Sequence, residues 1–202
     1  MSDVGPLLNA EPASARLDAL AKLVADNQDG IADRPFTNEV NNHVHTSYSF
    51  SPYSPTYAAW MARASGLKAV GSVDHDSISG AEEMVAAAAI LGIGSTAGCE
   101  IRVNFSDTAV AGRKLNNPDS HNVAYMVIHG VCRPKVDAAK RFLAPINEVR
   151  NERNREQVIR LNAILAELDV PQLTWDAVFA SSRAEEGGSI TERHILYPLS
   201  LL

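Results

Sequence analysis

Two histidines separated by one residue, His43 and His45, are the first residues whose types and spacing could do chemistry. Successive side chains on a β-strand point to opposite faces, so positions two apart share a face. A strand here would present two imidazoles on one side, an arrangement that can bind a divalent metal ion. Taken alone, such a pair is more often a pair of solvated or hydrogen-bonded surface histidines than a metal site.

Further candidate ligands lie at the ends of short apolar runs: Asp74, His75, Asp76, Glu100, His121 and His129. In parallel α/β folds, active-site residues gather where strands end and the following loops begin. Each residue has an ordinary alternative, such as a turn histidine or a strand-end carboxylate. Together, imidazoles and carboxylates at successive strand ends predict a site for Zn, Mn or Fe. Asp74 or Asp76 would then orient a ring, position a water or shuttle its proton.

The elements that must position these side chains alternate between short strands and helices. Apolar runs predict strands over 67–73, within 93–103 and over 122–128, and helices over 54–65, 81–91 and 144–168. This alternation is typical of an α/β domain with parallel strands. Residues 1–41 look like an appended segment with one helix over 11–24 and no chemistry. Ser189 and Glu192 predict a capping box that begins a last helix.

Composition narrows the class of protein. A net charge of −6 over 202 residues argues against a broad nucleic-acid-binding surface. The sequence has no apolar run of 18 residues and no secretory signal pattern, so membrane insertion and secretion are unsupported. Cys99 and Cys132 are isolated in apolar surroundings and predict buried free thiols, as expected in the cytoplasm.

The segments NNHVHTSYS, VDHDSISG, GCEI, HNVAY and ITERH, in this order and spacing, resemble the PHP (polymerase and histidinol phosphatase) superfamily of metal-dependent phosphoesterases. The resemblance extends from about residue 41 to 202 and implies a PHP domain over 42–202. It implies an α/β fold, a distorted (β/α)7 barrel with two or three divalent metal ions at the carboxyl ends of its strands. The metal ligands that it implies are His43, His45, His75, Glu100, His121 and His194, with His129 a weaker choice than His121.

Two departures from the family pattern bear on activity. Many members have an aspartate five residues after the second histidine of the first motif, and here that residue is Phe50. Phenylalanine cannot ligate, so we expect one metal to be missing, weakened or held through water. The family's late Asp-x-His pair is absent, because the sequence ends at Leu202. We therefore expect a barrel that is incomplete at its C-terminus, and a fragment of a longer protein.

Arginines supply candidate ligands for a phosphate group. The guanidinium fork matches phosphate geometry, and residues 133–160 are basic in an otherwise acidic chain. Most of these arginines fit a solvated helix face with glutamates at i,i+4. The candidates that we retain are Arg150 and Arg153 near the start of the long helix, and Arg113 in the polar loop after Glu100.

The sequence therefore predicts a cytoplasmic metal-dependent hydrolase that cleaves a phosphomonoester or phosphodiester with a metal-activated water. The expected substrate is small and phosphorylated: histidinol phosphate, a nucleotide or an oligonucleotide end. The absence of an aromatic and basic surface disfavours long nucleic acid. One alternative is a degenerate PHP domain that acts as a non-catalytic metal-binding or scaffold module. Another is a C–N hydrolase of the amidohydrolase kind, which would be expected to show a ligating lysine; only Lys114 lies near the site loops.

Overall fold

The sheet that carries the candidate site has four strands in the order β1-β2-β3-β4 in a computed structural model, which describes residues 3–202. The strands are β1 (Asn41–Val44), β2 (Ala69–His75), β3 (Gly94–Asn104) and β4 (Val123–Ile128). β1, β2 and β3 are parallel, and β4 is antiparallel to β3. The sheet curls like half of a barrel, so one face is concave.

The expectation that every strand is parallel is wrong for β4. A parallel return needs a crossover connection, usually a helix, whereas an antiparallel strand can follow a loop. Residues 105–122 contain turns and an isolated bridge between Lys114 and His121 but no helix. The chain therefore reverses, and β4 begins at the edge of the sheet where β3 ends, with Val123 opposite Asn104.

The helices α3 (Pro55–Ala64) and α4 (Ala81–Ile90) form as the sequence predicts. Ser54 caps α3 because its hydroxyl accepts a 3.0 Å hydrogen bond from the backbone N–H of Tyr57. The helix is followed by Gly66 at φ +80°, a conformation that costs glycine little. Both helices pack on the outer face of the sheet, so the concave face is left for the candidate ligands.

Helix α5 (Val136–Glu167) begins eight residues earlier than predicted. The predicted start at residue 144 lies next to Pro145, and proline is favoured in the first turn of a helix. The structure instead keeps Pro145 inside the helix. Val136 and Leu143 on the earlier turns are buried against Cys99 of β3 and its neighbours. Burial of these side chains offsets the hydrogen bond that the proline cannot donate.

The N-terminal segment forms α1 (Gly5–Leu8) and α2 (Ala13–Ala25), which confirms a helix close to the predicted 11–24. Leu8 and Leu20 are fully buried and share an apolar cluster with Trp60 of α3 and Met84 of α4. The segment therefore packs on the outside of α3 and α4, away from the concave face.

The chain ends with α6 (Trp175–Ala180) and α7 (Glu192–Leu199). The predicted capping box of Ser189 and Glu192 is wrong: Thr191 caps α7, and His194 is its reciprocal partner. Ser189 still belongs to the extended connection, since its N–H donates to the carbonyl of Tyr48 at 2.8 Å. None of the helices within residues 3–202 has the length and apolar character that crossing a membrane requires.

Candidate metal centre

Four candidate ligands meet on the concave face because strand register places them side by side. His75 is the last residue of β2 and pairs in register with Glu100 of β3. His43 lies on β1, and His45 follows directly after that strand ends. Side chains two apart on a strand share a face, which brings both imidazoles over the same edge.

The carboxylate of Glu100 is the centre of this cluster. Its Oε2 lies 3.1 Å from His45 Nε2, 3.4 Å from His43 Nε2 and 3.7 Å from His75 Nδ1. The ligand atoms of His43, His45 and Glu100 all lie within 4.8 Å of one another. The structure therefore brings together four of the six predicted metal ligands.

The protonation states of the buried imidazoles leave them with lone pairs that can bind a metal ion. Burial, together with His75, His43 and Arg193, lowers the pKa of His45 to about 4. Burial, together with Arg150, lowers the pKa of His75 to about 4. Both rings are therefore neutral at neutral pH, and neither forms an ion pair with Glu100 there. Burial raises the pKa of Glu100, and His43 opposes that rise.

These residues fit a divalent metal ion. Ligand atoms around a four-coordinate ion with bonds of about 2.1 Å lie about 3.4 Å apart, close to the separations found here. The Nδ1 atoms of His45 and His75 are buried and have no hydrogen-bond partner in the part of the chain described. A buried polar nitrogen without a partner is costly, and a cation beside His75 Nδ1 and Glu100 would satisfy it.

Asp74, a predicted catalytic residue, faces away from the cluster and holds the loop after β1. Its Oδ1 accepts from the Thr46 N–H at 2.6 Å and the Ser49 hydroxyl at 2.7 Å, while Oδ2 accepts from the Thr46 hydroxyl at 2.7 Å. Burial raises the pKa of Asp74, and these hydrogen bonds oppose the rise. Both oxygens are occupied, so Asp74 positions residues 46–49 in this structure.

Asp76 and Arg150, predicted as catalytic and phosphate-binding residues, pair with each other. Nε and one terminal nitrogen of Arg150 each lie 2.5 Å from Asp76 Oδ2, and both side chains are buried. Asn147 of α5 also donates to the Asp76 carbonyl at 3.0 Å. This contact joins α5 to the end of β2. The other carboxylate oxygen, Asp76 Oδ1, is buried and has no hydrogen-bond partner among the described residues.

The structure does not bring His121 or His129 to the cluster. His121 is exposed and pairs with Lys114 across the bridge before β4. His129 is exposed just beyond the end of β4, where Ile128 pairs with Cys99, and it is not part of the ligand cluster among the described residues.

His194 caps a helix. Its Nδ1 accepts a 3.0 Å hydrogen bond from the backbone N–H of Thr191, and burial lowers its pKa to about 4. A neutral imidazole whose Nδ1 accepts a proton carries its own proton on Nε2. Neither ring nitrogen then has a free lone pair for a metal, so the family-implied ligand role of His194 is not formed in this arrangement.

The remaining phosphate candidates differ in position. Arg153 forms a 2.9 Å ion pair with Glu192, whereas Arg113 lies exposed in the loop before β4. Burial alone would raise the pKa of Glu192, but a backbone hydrogen bond, Arg150 and Arg153 lower it overall. Glu192 is therefore a charged partner that neutralises Arg153.

A cavity of about 240 Å³ opens beside the cluster. Its walls are formed by Phe50, His75, Tyr125, Arg150, Thr191, Glu192 and Arg193. A larger cavity of about 530 Å³ lies between α4, β3 and residues 130–136, away from the ligands, so size alone does not mark the site.

Sequence reasoning missed the cationic and aromatic lining of the smaller cavity. Arg193 lies over the Phe50 ring at 4.5 Å, and Arg102 lies over Tyr125 at 5.7 Å. A signal existed for Arg102, because it is two residues after Glu100 on a strand and so shares its face. Arg193 directly precedes His194, but no local pattern connects it with Phe50.

The comparisons with known proteins support a hydrolase-like fold. No protein-family model matches the sequence, and no curated protein matches it. A presumed metal-dependent phosphoesterase from Bifidobacterium adolescentis is similar in structure, with a TM-score of 0.64 and 25% identity over 83% of this chain. An amidohydrolase from Chromobacterium violaceum, solved with sulfate and no metal, has a TM-score of 0.60 and 25% identity over 81% of this chain. The chain spans 51% of each of these proteins.

Proposed function

We propose that this chain carries the metal centre of a PHP-type phosphoesterase. One observation carries the proposal: His43, His45 and Glu100 converge at ligand spacing, with the unpartnered Nδ1 of His75 beside them, at the wall of an arginine-lined cavity. The similarity to a presumed metal-dependent phosphoesterase supports the same reaction class.

His43, His45, Glu100 and His75 would hold one divalent ion, Mn, Zn or Fe. When bound there, such an ion supplies Lewis-acid polarisation of a phosphoryl oxygen and lowers the pKa of a water. The chain's own residues keep the imidazoles neutral through burial and orient the Glu100 carboxylate between three rings. The arginines beside the cavity attract the anionic ester and stabilise its negative charge.

A second candidate is hydrolysis of a C–N bond, which the similarity to an amidohydrolase favours. The chemistry of the ligand set suits either reaction, because both need a metal-activated water. The cavity lining favours the phosphate ester, since guanidinium groups match an anionic oxygen group better than a neutral amide. Lys114, the lysine considered as a ligand for that chemistry, is exposed in the loop before β4 and lies outside the cluster.

The proposal extends to the architecture and the location of the protein. We infer a PHP domain over residues 42–202, part of a distorted (β/α)7 barrel, with residues 1–41 as a helical extension. Similarity in fold to two hydrolases and the curled half-barrel sheet support this inference. Cys99 is buried as predicted, but the prediction is wrong for Cys132, which is exposed. Both are free thiols, which supports a cytoplasmic location. The substrate that we expect is small and phosphorylated.

Metal content measured by mass spectrometry tests the proposal directly. Protein purified without chelator should contain close to one equivalent of Mn, Fe or Zn, and the double variant His43→Ala/His45→Ala should lose it. His129→Ala is the matched control, because this exposed histidine lies outside the cluster. A metal content below half an equivalent in the wild type, with the same content in the double variant, would contradict the proposal and favour the non-catalytic scaffold.

Hydrolysis assays then separate the two reaction classes. The metal-loaded protein should release nitrophenol from p-nitrophenyl phosphate or its diester, and it should not cleave p-nitroanilides. Cleavage of the anilides alone would favour the C–N hydrolase.

A further inference from the structure

Arg193 is an unassigned cation beside the metal ligands, and we propose that it binds the anionic oxygen group of the substrate. This role goes beyond the arginines that the sequence favoured, Arg113, Arg150 and Arg153. The inference rests on the proposed function for the identity of the substrate, a phosphate ester, but not for the binding of an anion itself.

The stack on Phe50 fixes the position of the Arg193 guanidinium. The Arg193 guanidinium carbon lies 4.5 Å from the centre of the Phe50 ring. The other neighbours of that ring are His45 and His75, with ring centres 4.6 Å and 5.4 Å away. One phenyl ring therefore joins the metal-ligating imidazoles to the guanidinium. A planar cation over an aromatic face keeps its N–H donors directed to its rim.

Arg193 is available for a ligand, unlike the other cations nearby. Arg150 is committed to Asp76 and Arg153 to Glu192, whereas Arg193 forms no hydrogen bond or ion pair within residues 3–202. Arg193 is also exposed and lines the same cavity as His75. An unpaired guanidinium on a cavity wall is free to donate two parallel hydrogen bonds to an oxyanion.

Arg102 supplies a second unpaired positive charge near this cavity. It lies over Tyr125, a residue of the cavity wall, and forms no ion pair in the described part of the chain. The two pairs Arg150–Asp76 and Arg153–Glu192 are each neutral, so the cations without an ion-pair partner near this cavity are Arg193 and Arg102, and the nearby carboxylate is Glu100 of the ligand cluster. The Phe50 ring that Arg193 covers contacts both His45 and His75, whereas the Tyr125 ring under Arg102 contacts His75.

The contact with Arg193 also gives Phe50 a role at the site. A carboxylate at position 50 would add a metal ligand but would draw the guanidinium into an ion pair. Phenylalanine leaves the charge of Arg193 uncompensated and holds it beside the candidate metal ligands. In this chain, then, Arg193 provides the positive charge that a second metal ion, held by an aspartate at position 50, would otherwise provide.

Binding of inorganic phosphate to the metal-free protein tests this role, with calorimetry or NMR titration as the measurement. The wild type should bind phosphate at millimolar concentration, and Arg193→Gln should bind it about tenfold more weakly, the loss expected for one charged hydrogen-bonding group. Phe50→Leu keeps the charge but removes its support, so it should weaken binding by less.

Arg155→Gln is the matched control. Arg155 lies over the ring of Trp175 at 4.6 Å, almost the same stack, but away from the cavity, and it should leave phosphate binding unchanged. Three results would overturn the inference: no phosphate binding by the wild type, equal binding by Arg193→Gln, or an equal loss in Arg155→Gln. The metal content of each variant is measured separately, so a protein that binds phosphate through Arg193 but holds no metal contradicts only the proposed function.

Discussion

Three acidic residues, on β2, directly after β2 and on β3, have different environments and therefore different roles. Glu100 faces three imidazoles, Asp74 accepts three hydrogen bonds from the loop after β1, and Asp76 pairs with Arg150. All three looked alike in the sequence as strand-end carboxylates. Only Glu100 has an oxygen directed at the candidate metal centre, so substitutions of the three should have separable effects.

Glu100→Gln should abolish most metal binding while the fold is retained. The substitution keeps the shape of the side chain but removes the negative charge that His43, His45 and His75 surround. Loss of neighbours of metal ligands commonly costs about 10–100-fold in affinity, so we expect at least about a tenfold loss for a ligand itself. Calorimetric titration with Zn measures the loss, with the exposed Glu148→Gln as the control. Unchanged affinity would remove Glu100 from the centre.

Asp74→Asn should destabilise the protein rather than alter chemistry alone. The amide offers one acceptor oxygen instead of two and turns an N–H₂ group toward donors from Thr46 or Ser49. A buried polar group left unsatisfied costs about 1–3 kcal/mol of unfolding free energy. Urea unfolding compares this variant with Asp107→Asn, an exposed aspartate. Full stability combined with lost hydrolysis would instead support the predicted catalytic role.

At the scale of the elements, helix termini and strand directions decide which histidines reach the centre. β4 runs antiparallel to β3, so His121 and His129 flank its two ends and stay outside the ligand cluster, and His194 is used by the first turn of α7. The capping box needs a neutral imidazole, because Nδ1 accepts the Thr191 N–H. The start of α7 matters to the site because Thr191 and Arg193 line the cavity.

The His194 cap predicts an acid-sensitive fold. Burial lowers the pKa of His194 to about 4 from its ordinary value of 6.5. Between these values the unfolded chain binds a proton that the folded chain does not, so stability falls as the pH decreases through this window. This group contributes a slope of up to about 1.4 kcal/mol per pH unit.

Urea unfolding of the metal-free protein at pH 7 and pH 5 measures this slope. His194→Gln should be less stable than the wild type at pH 7 and should lose less stability on acidification. The exposed His129→Gln should keep the slope of the wild type. An identical slope in His194→Gln would show that the cap does not titrate as proposed.

At the scale of the whole molecule, a buried ion pair connects the N-terminal segment to the helices that pack on the sheet. Arg16 of α2 is fully buried and donates to both oxygens of Glu83 of α4, at 2.9 and 2.6 Å. Glu83 also accepts from the N–H and the hydroxyl of Thr56 at the start of α3. One carboxylate therefore holds three helices together behind the sheet.

Arg16→Met should destabilise the protein by about 3–5 kcal/mol, since it leaves a buried carboxylate without its counter-charge. The double variant Arg16→Met/Glu83→Gln should recover part of this loss, because the neutral amide still offers an oxygen to Thr56. Guanidinium unfolding measures both, with Arg160→Met, which is exposed on α5, as the surface control. Equal stability of Arg16→Met and the wild type would show that the segment contributes little.

The sequence by itself determined the parts of the centre that depend on local geometry. The shared face of His43 and His45, and the alternation that sets the faces of His75 and Glu100 on their strands, follow from the two-residue strand repeat. The sequence placed Glu100 at a strand end, whereas β3 continues beyond it to Asn104. The boundaries of α3 and α4 followed from caps and glycines for the same reason. These features depend on residues that are close together in the sequence, so they can be predicted from the sequence alone.

Only the tertiary structure decided the partners of the remaining charged side chains. Asp76 meets Arg150 and Phe50 meets Arg193 across 74 and 143 positions of sequence, because packing brings α5 and α7 against the sheet. A side chain with several possible partners takes the one that packing places within reach. Residue type thus indicated metal-dependent chemistry, and packing selected the arginine that is left free for an anion.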